Sequence, residues 1–501
     1  MSGVRAVVGI DLGTSQLKAL VATPGGQVLG RGRAAYQVAV PADGHAETDP
    51  EDWWRAATAA VREALAGAAA TSAAAGSGGV DVIGVALAGQ MHGVVLADAA
   101  GAPCRPAILW LDRRAGAEAA RFRELPGQVT APLGNQPSPG MAGPILCWLR
   151  VHEPASLDRA RWALQPKDWL RMRLTGEPAT DPTDASGTLL FDLENNVWAD
   201  GLIEALRLPR DKLPGIREPS AVAGRLRPGP ADELGLPAGI PVATGGADTA
   251  ASLHAIGIDN SKRKGGEGGE GKEALLTLGT GGQWIIPEPQ FRPTETTNLF
   301  RAIGEISYYR LAAAQNVGVT LDWVRTVLGV SWQDLYDTAA RPWRPDTPVF
   351  LPYLTAERWD TAASPHGTWA GLTLAHGKAD LSRSALEGVA FLLNDRLNDL
   401  RAAGHRPERV ILGGGGTGHP AWRRLLADVL GLPLLPAPTS WLSATGAALI
   451  AVAAVTEGEA VGASRGRSEY GRGEVVAPGE RAAASAGYGR FLFFRRSWPT
   501  S

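Results

Sequence analysis

The sequence predicts an α/β protein of two related domains, and three observations point there. At 501 residues the chain exceeds what one ordinary core accommodates. A β-branched run at 4–10 enters the small-residue turn Asp11-Leu12-Gly13-Thr14-Ser15 and leaves as a second strand at 17–22. The pattern returns in the other half, where 274–278 enters Gly279-Thr280-Gly281-Gly282 and leaves through Trp284-Ile285-Ile286. A duplicated fold would use two such turns to grip phosphates from both sides, because small-residue turns expose backbone N–H groups.

The bulk composition excludes several classes. A chain with 45% hydrophobic and 20% charged residues is an ordinary globular protein. A net charge of -2 gives no general attraction to nucleic acid or to an anionic membrane. Cys104 and Cys147 allow one disulfide but neither a disulfide framework nor a metal-type spacing. Residues 1–9 are too short and wrongly patterned for a signal peptide, and the apolar run 447–455 falls short of the roughly 20 residues of a membrane span. The expectation is a reducing cytoplasm.

Taken in order, the first turn carries an acid, Asp11, that could hold the metal of a bound phosphate; a plain hairpin with a polar tip is the alternative. Asp49-Pro50-Glu51-Asp52 reads as a helix entry, with Trp53, Ala57, Val61 and Leu65 at helical spacing and a loose loop expected over 68–79. Residues 80–88 read as a strand ending in Gly89-Gln90-Met91-His92-Gly93, polar side chains between glycines where ligands are commonly touched. Residues 107–110 form a short apolar run before Asp112-Arg113-Arg114, and 166–176 read as a helix closed by Gly176. The polar loop 180–188 contains Asp181 and Asp184, read as turn formers before ligand groups.

A domain boundary is expected near Pro241, dividing 1–241 from 242–501. Just past it, a strand breaks at Gly245-Gly246 before Asp248 and an alanine-rich helix. Asp248 reads either as a helix N-cap or as a reactive carboxylate at a strand–turn–helix edge. A helix-start position should lower its pKa. Residues 260–273 read as a solvated low-complexity insertion. Residues 382–403 read as a helix, and 409–412 as a strand entering Gly413-Gly414-Gly415-Gly416-Thr417-Gly418 ahead of a helix opened by Pro420. That arrangement brings backbone close to a nucleotide but lacks the Lys-Ser/Thr of a P-loop. Ser443-Ala444-Thr445-Gly446 opens a last small-residue helix, and 457–501 carries little pattern.

In this order, from about Val8 to about Val455, these parts resemble the FGGY carbohydrate kinases, and among them the xylulokinase branch. The resemblance rests on Ile10-Asp11-Leu12-Gly13-Thr14-Ser15, Gly89-Gln90-Met91-His92-Gly93, Trp110-Leu111-Asp112-Arg113-Arg114, Pro166-Lys167-Asp168-Trp169-Leu170 and Thr183-Asp184-Ala185-Ser186-Gly187-Thr188. It continues through Gly245-Gly246-Ala247-Asp248, Leu278-Gly279-Thr280-Gly281-Gly282, Phe350-Leu351-Pro352-Tyr353-Leu354 with Glu357-Arg358, and Gly413-Gly414-Gly415-Gly416.

The resemblance implies two ribonuclease-H-like α/β domains, as in actin and sugar kinases, with the active site in a cleft between them. The first would bind sugar and the second nucleotide. Asp248 would be the catalytic base, and Asp11 would help hold Mg²⁺ through water, with Asp248 also near the metal. Gln90, Met91, His92, Trp110, Asp112 and Thr249 would meet the sugar. Gly13, Thr14, Ser15, Lys18, Gly279, Thr280, Gly281, Gly414, Gly415 and Gly416 would meet ATP.

The implied partners are a small sugar and ATP, with neither nucleic acid nor membrane, and a homodimer left open. The implied reaction is phosphorylation of a ketopentose, D-xylulose first. Leu111, Thr249 and Trp359-Asp360 depart from the family pattern. Leu111 and Thr249 keep open a kinase for ribulose, fuculose, gluconate or glycerol, and a non-catalytic sugar- and ATP-binding regulator stands as a separate alternative.

Overall fold

The computed structural model describes residues 3–258, 273–304, 306–355, 357, 366–456 and 474–497. The first sheet contains β1 (Val4–Leu12), β2 (Gln16–Ala22), β3 (Val28–Ala35), β4 (Val80–Gly89), β5 (Val222–Arg225), β6 (Pro241–Ala243) and β7 (Gly246–Ala247). Their spatial order is β5-β6-β4-β1-β2-β3, with β7 also on β4. β1 is buried on both faces from Ala6 onward, as a central strand parallel to β4 should be.

The second sheet contains β8 (Glu273–Leu278), β9 (Gly282–Glu288), β10 (Asn298–Arg301), β11 (Tyr308–Ala314), β12 (Arg409–Gly413) and β13 (Leu434–Pro436), ordered β10-β11-β9-β8-β12-β13. Set β5 and β10 aside and the two sheets share one topology. Each opening strand pairs antiparallel with the strand after it and parallel with a later one, β4 in the first sheet and β12 in the second. The duplicated, ribonuclease-H-like α/β fold expected from the two turns is therefore present.

The helices that matter to the site are α1 (Pro50–Ala74), α2 (Pro166–Thr175), α3 (Pro182–Ala185), α4 (Asp248–Ile256), α5 (Gly318–Leu328), α6 (Lys378–Ala402), α7 (Pro420–Leu430), α8 (Leu442–Val455) and α9 (Arg481–Ser497). Asp49 caps α1 by accepting from the Glu51 N–H at 3.0 Å. The helix runs six residues beyond the loop start expected at 68, ending at Ala74. Alanine is the strongest helix former, and β3 offers that stretch a close seat: a Cβ at Gly30 would lie 2.5 Å from the Ala68 nitrogen, and the Thr71 hydroxyl donates to the Leu29 carbonyl at 2.8 Å.

α4 and α8 form a layer between the two sheets. One buried cluster joins Val7, Leu20 and Ala86 of the first sheet to Leu275, Ile285 and Leu311 of the second, with Ala250, Ala251, Ala444 and Ala447 among them. The contacts are backbone-close because the residues are small. A Cβ at Gly446 would sit 2.0 Å from the Ala251 carbonyl oxygen, and one at Gly9 would sit 2.2 Å from that of Ala444. The second core also takes Phe491 from α9, fully buried, so part of the tail read as patternless is a packed helix. Of the expected insertion at 260–273, all but Glu273 lies outside the described residues. Among the described residues no helix is long and apolar enough to cross a membrane, and Cys104 and Cys147 are free thiols.

Candidate active site

The site is built on the carboxyl ends of β1, β4 and β7, where open α/β sheets hold ligands. Ala88 of β4 has Asp11 of β1 on one side and Gly246 of β7 on the other. Neighbouring strands lie about 4.8 Å apart, so Asp11 and the segment leading to Asp248 are separated by about 10 Å of sheet. Gly245 makes the approach possible: its φ is +84°, and a Cβ there would meet the Leu87 carbonyl oxygen at 2.2 Å.

Asp248 is the first helical residue of α4, not its N-cap. Ala247 holds the cap position without a side-chain bond. The Asp248 Oδ1 atom accepts from the Thr249 N–H at 2.6 Å and from the Thr249 hydroxyl at 3.2 Å. Burial and then the nearby Asp11 charge push the Asp248 carboxyl up to about 7, against the Thr249 bonds. Burial also pushes Asp11 up to about 6, opposed by Lys18, its cross-strand partner. The lowering expected from the helix start is thus overturned. The helix terminus and its N–H bonds do favour the carboxylate, but burial beside a second carboxylate outweighs them.

The first turn is tied from several directions. The Gly13 carbonyl accepts from the Tyr36 hydroxyl and, at 3.3 Å, from Gln90 Nε2. Trp110 Nε1 donates to the Thr14 hydroxyl at 2.9 Å, and the Tyr36 N–H donates to the Ser15 carbonyl at 3.0 Å. Gln90 and Trp110 therefore converge on this turn, and the buried Gln90 Oε1 has no hydrogen-bond partner among the described residues.

Beyond Gln90, the Tyr309 hydroxyl lies 3.7 Å from Met91 Sδ. His92 has φ +77°, a conformation non-glycine residues adopt at a cost. Its N–H donates to Gln165 Oε1 at 2.9 Å, and its Nδ1 lies 2.7 Å from the Gly187 carbonyl oxygen. A carbonyl can only accept, so Nδ1 carries the proton and Nε2 is the acceptor nitrogen of the neutral ring.

Asp112 is placed differently. Its carboxylate takes the Ala46 N–H at 2.6 Å and Arg114 at 2.8 and 2.9 Å, so both oxygens already clamp a loop. Leu111, beside it, is 39% exposed.

At the second sheet, Gly279 and Thr280 are exposed, and the Thr280 carbonyl accepts from the Val319 N–H at 3.0 Å as α5 begins. Gly414 has φ +94°, and a Cβ there would lie 2.3 Å from the Leu278 carbonyl oxygen, so Gly414–416 lies directly against the end of β8. Glu357 accepts from the Gln315 N–H at 2.9 Å and the Asn316 N–H at 3.1 Å, steadying the loop after β11 at this same edge. Arg358 and Trp359-Asp360 lie outside the described residues.

Small contacts join the two edges. The Thr249 hydroxyl lies 3.4 Å from Gln283 Oε1, and Ser252 meets Ser443 at 2.9 Å. Lys18 Nζ lies 5.8 Å from the Trp441 ring centroid at the start of α8, and Leu442 would be 2.8 Å from a Cβ on Gly413. Sequence reasoning missed Tyr36, Gln165, Gln283 and Tyr309, and Phe300, whose ring centroid lies 5.9 Å from that of His92, all of which reach the site from strands and loops distant along the chain. It also missed the size of a buried charge cluster around Lys167. The local signal was the Lys167-Asp168 pair with Arg171 one turn later in the same short helix.

Residues 6–255 match the FGGY family of carbohydrate kinases, N-terminal domain, and residues 274–455 match its C-terminal domain. A xylulose kinase of Escherichia coli K12 is 34% identical over 437 residues, covering 85% of each chain. The crystal structure of a xylulose kinase from Rhodospirillum rubrum superposes with a TM-score of 0.82 at 29% identity, covering 98% of this chain and 99% of that one. That of a "xyloylose kinase" from Brucella ovis superposes with a TM-score of 0.85 at 28% identity over 98% of each chain.

Proposed function

The chain belongs to the FGGY family of carbohydrate kinases, and from that premise we propose that it transfers the γ-phosphoryl group of ATP to the terminal hydroxyl of D-xylulose, giving D-xylulose 5-phosphate. The names of its relatives supply the sugar. The observation that carries the chemistry is the placing of Asp11 and Asp248 at strand ends on either side of β4, beside Gln90, Met91 and His92.

Phosphoryl transfer passes through a loose transition state, so positioning and charge stabilisation are what a protein contributes. Asp248 accepts the proton of the sugar hydroxyl as the new P–O bond forms. A carboxyl near 7 suits that task, since a base works best close to the operating pH. Gln90 Oε1 accepts a hydrogen bond from a sugar hydroxyl, and Met91 and His92 border the same sugar. Gly13, Thr14, Ser15 and Lys18 on one side, and Gly279, Thr280 and Gly281 on the other, hold the phosphates. Gly414, Gly415 and Gly416 lie along the adenosine. Trp110 and Thr249 border the sugar, while Asp112 acts through the loop it clamps.

Asp11 and Asp248 fit a divalent cation. Both are pushed up by burial, and Lys18 is the cation that counters Asp11. Asp11, through water, and Asp248 would hold Mg²⁺, which when bound neutralises phosphate charge. On this reading 1–241 is the sugar-binding part and 242–501 the nucleotide-binding part, a cleft between them holds the reaction, and the enzyme works in the cytoplasm.

The test is ADP release by the purified protein with Mg²⁺, ATP and a panel of ketoses and polyols. D-xylulose should give the highest kcat/KM. Binding of sugar and ATP without product would end the kinase reading, and preference for another polyol would end the choice of sugar.

A further inference from the structure

Beneath β4 and the Gly245-Gly246 turn lies a second set of charges that the proposed reaction does not use. Lys167 Nζ lies 2.5 Å from Asp168, 2.9 Å from Asp181 and 3.3 Å from Asp184, all with fully buried side chains. Arg171 joins Asp168 at 2.8 Å and the Thr244 carbonyl at 3.0 Å. The three carboxylates are close enough to hold a metal ion, but the lysine ammonium already occupies that position. Burial alone would push the ammonium down, yet the surrounding carboxylates lift it above the usual lysine range. The cluster is a fixed internal ion, tied into the fold from α2 and α3.

Its outlet is Thr183. Asp181 Oδ2 faces Lys167, while Asp181 Oδ1 accepts from both the N–H and the hydroxyl of Thr183. The Thr183 hydroxyl spends its single proton on Asp181, so its lone pairs are left for the Ala247 N–H, which donates to it at 2.8 Å. Ala247 is the residue immediately before Asp248. The same segment turns four residues later to place the Gly187 carbonyl 2.7 Å from His92 Nδ1.

We propose that Thr183 is a positioning residue: its hydroxyl links the buried Lys167–Asp181 pair to the Ala247 N–H and so fixes where the Asp248 carboxylate points. This rests on Asp248 as the proton acceptor. Ala247 has no capping side chain of its own, so the attachment that aims α4 comes from a different part of the chain. Holding a reacting group within a fraction of an ångström is what sustains proximity catalysis, and a misplacement of about 1 Å can cost 100-fold.

The test uses the full chain with Thr183→Val, which keeps the shape and removes the hydroxyl, and Thr183→Ser, which restores it. Thr183→Val should lower kcat with D-xylulose about 100-fold, with KM for ATP and for sugar changed less than about threefold. Thr183→Ser should recover kcat to within a few-fold. If Thr183→Val does not fold, Thr183→Ala is read in its place. Equal kcat in Val and Ser variants overturns the proposal, as does a loss in which both KM values rise and kcat stays. A crystal structure of the Val variant gives a reading independent of turnover: Asp248 displaced or in two conformers supports the proposal, and Asp248 unmoved overturns it. Wild type inactive on every sugar would instead count against the kinase reading alone.

Discussion

Two groups of carboxylates lie under the same strand ends, and the fold treats them in opposite ways. Asp168, Asp181 and Asp184 are packed around Lys167 and Arg171, so most of their charge is answered inside the protein, while burial holds the Asp184 carboxyl well above the usual carboxylate range. Burial pushes Asp11 up to about 6 against Lys18, and burial with the Asp11 charge pushes Asp248 up to about 7. Buried charge that finds its partner within the chain is structural. Buried charge left short of a partner waits for one from outside, which is why perturbed carboxyls mark functional sites.

The largest effect should come from breaking the unanswered pair. Asp248→Asn keeps the shape and removes the base, so turnover with D-xylulose should fall by about 10²–10⁴-fold, with ATP binding retained in calorimetry. Ordinary turnover would reject Asp248 as the base. The answered cluster should fail in stability instead. Lys167→Met leaves three buried carboxylates sharing only Arg171, and removing one partner of a buried ion pair costs about 3–5 kcal/mol. Urea unfolding checks this, and a loss under about 1 kcal/mol would show that the cluster is not what ties α2 to α3.

The two groups also differ in how far local sequence revealed them. Asp11, the Gln90-Met91-His92 run, Asp248 and the two glycine turns could be placed from sequence because each sits where a strand pattern stops at glycine, a signal confined to a few neighbouring residues. The Lys167 cluster could not, because its members come from α2 and α3 and each looks alone like a surface charge or a turn former. Thr183 was invisible for the same reason, since its meaning is a bond to a residue 64 positions away. The sign of the Asp248 shift was misjudged because a helix start is local and burial beside Asp11 is tertiary. The helical stretch 68–74 and the packed tail α9 were missed where composition looked loose but a glycine-lined strand or an apolar core supplied the seat.

A third effect sharpens the contrast without touching turnover. The folded-state carboxyls of Asp11 and Asp248 lie above the ordinary aspartate value of 3.8. Their contribution to stability is therefore complete below about pH 4 and is lost as pH rises through 6 and 7. Asp248→Asn should match wild type in Tm near pH 4 and exceed it at pH 8. Wild type more stable than Asp248→Asn at pH 8, with no ligand added, would mean that the carboxylate has a partner after all.

The smallest effect follows from the same pair once a cation is offered. Mg²⁺ with ADP engages Asp11 and Asp248 only when they are ionised, so protons must leave before the metal is held. Below about pH 6 each protonated carboxyl weakens binding by about tenfold per pH unit. The rise in Tm that saturating wild type with Mg²⁺ and ADP produces should therefore be larger at pH 8 than at pH 6, by a few degrees. In Asp248→Asn the difference between the two pH values should shrink, because one of the two titrating groups is gone. A ligand-induced shift of equal size at both pH values would place the metal away from this carboxylate pair.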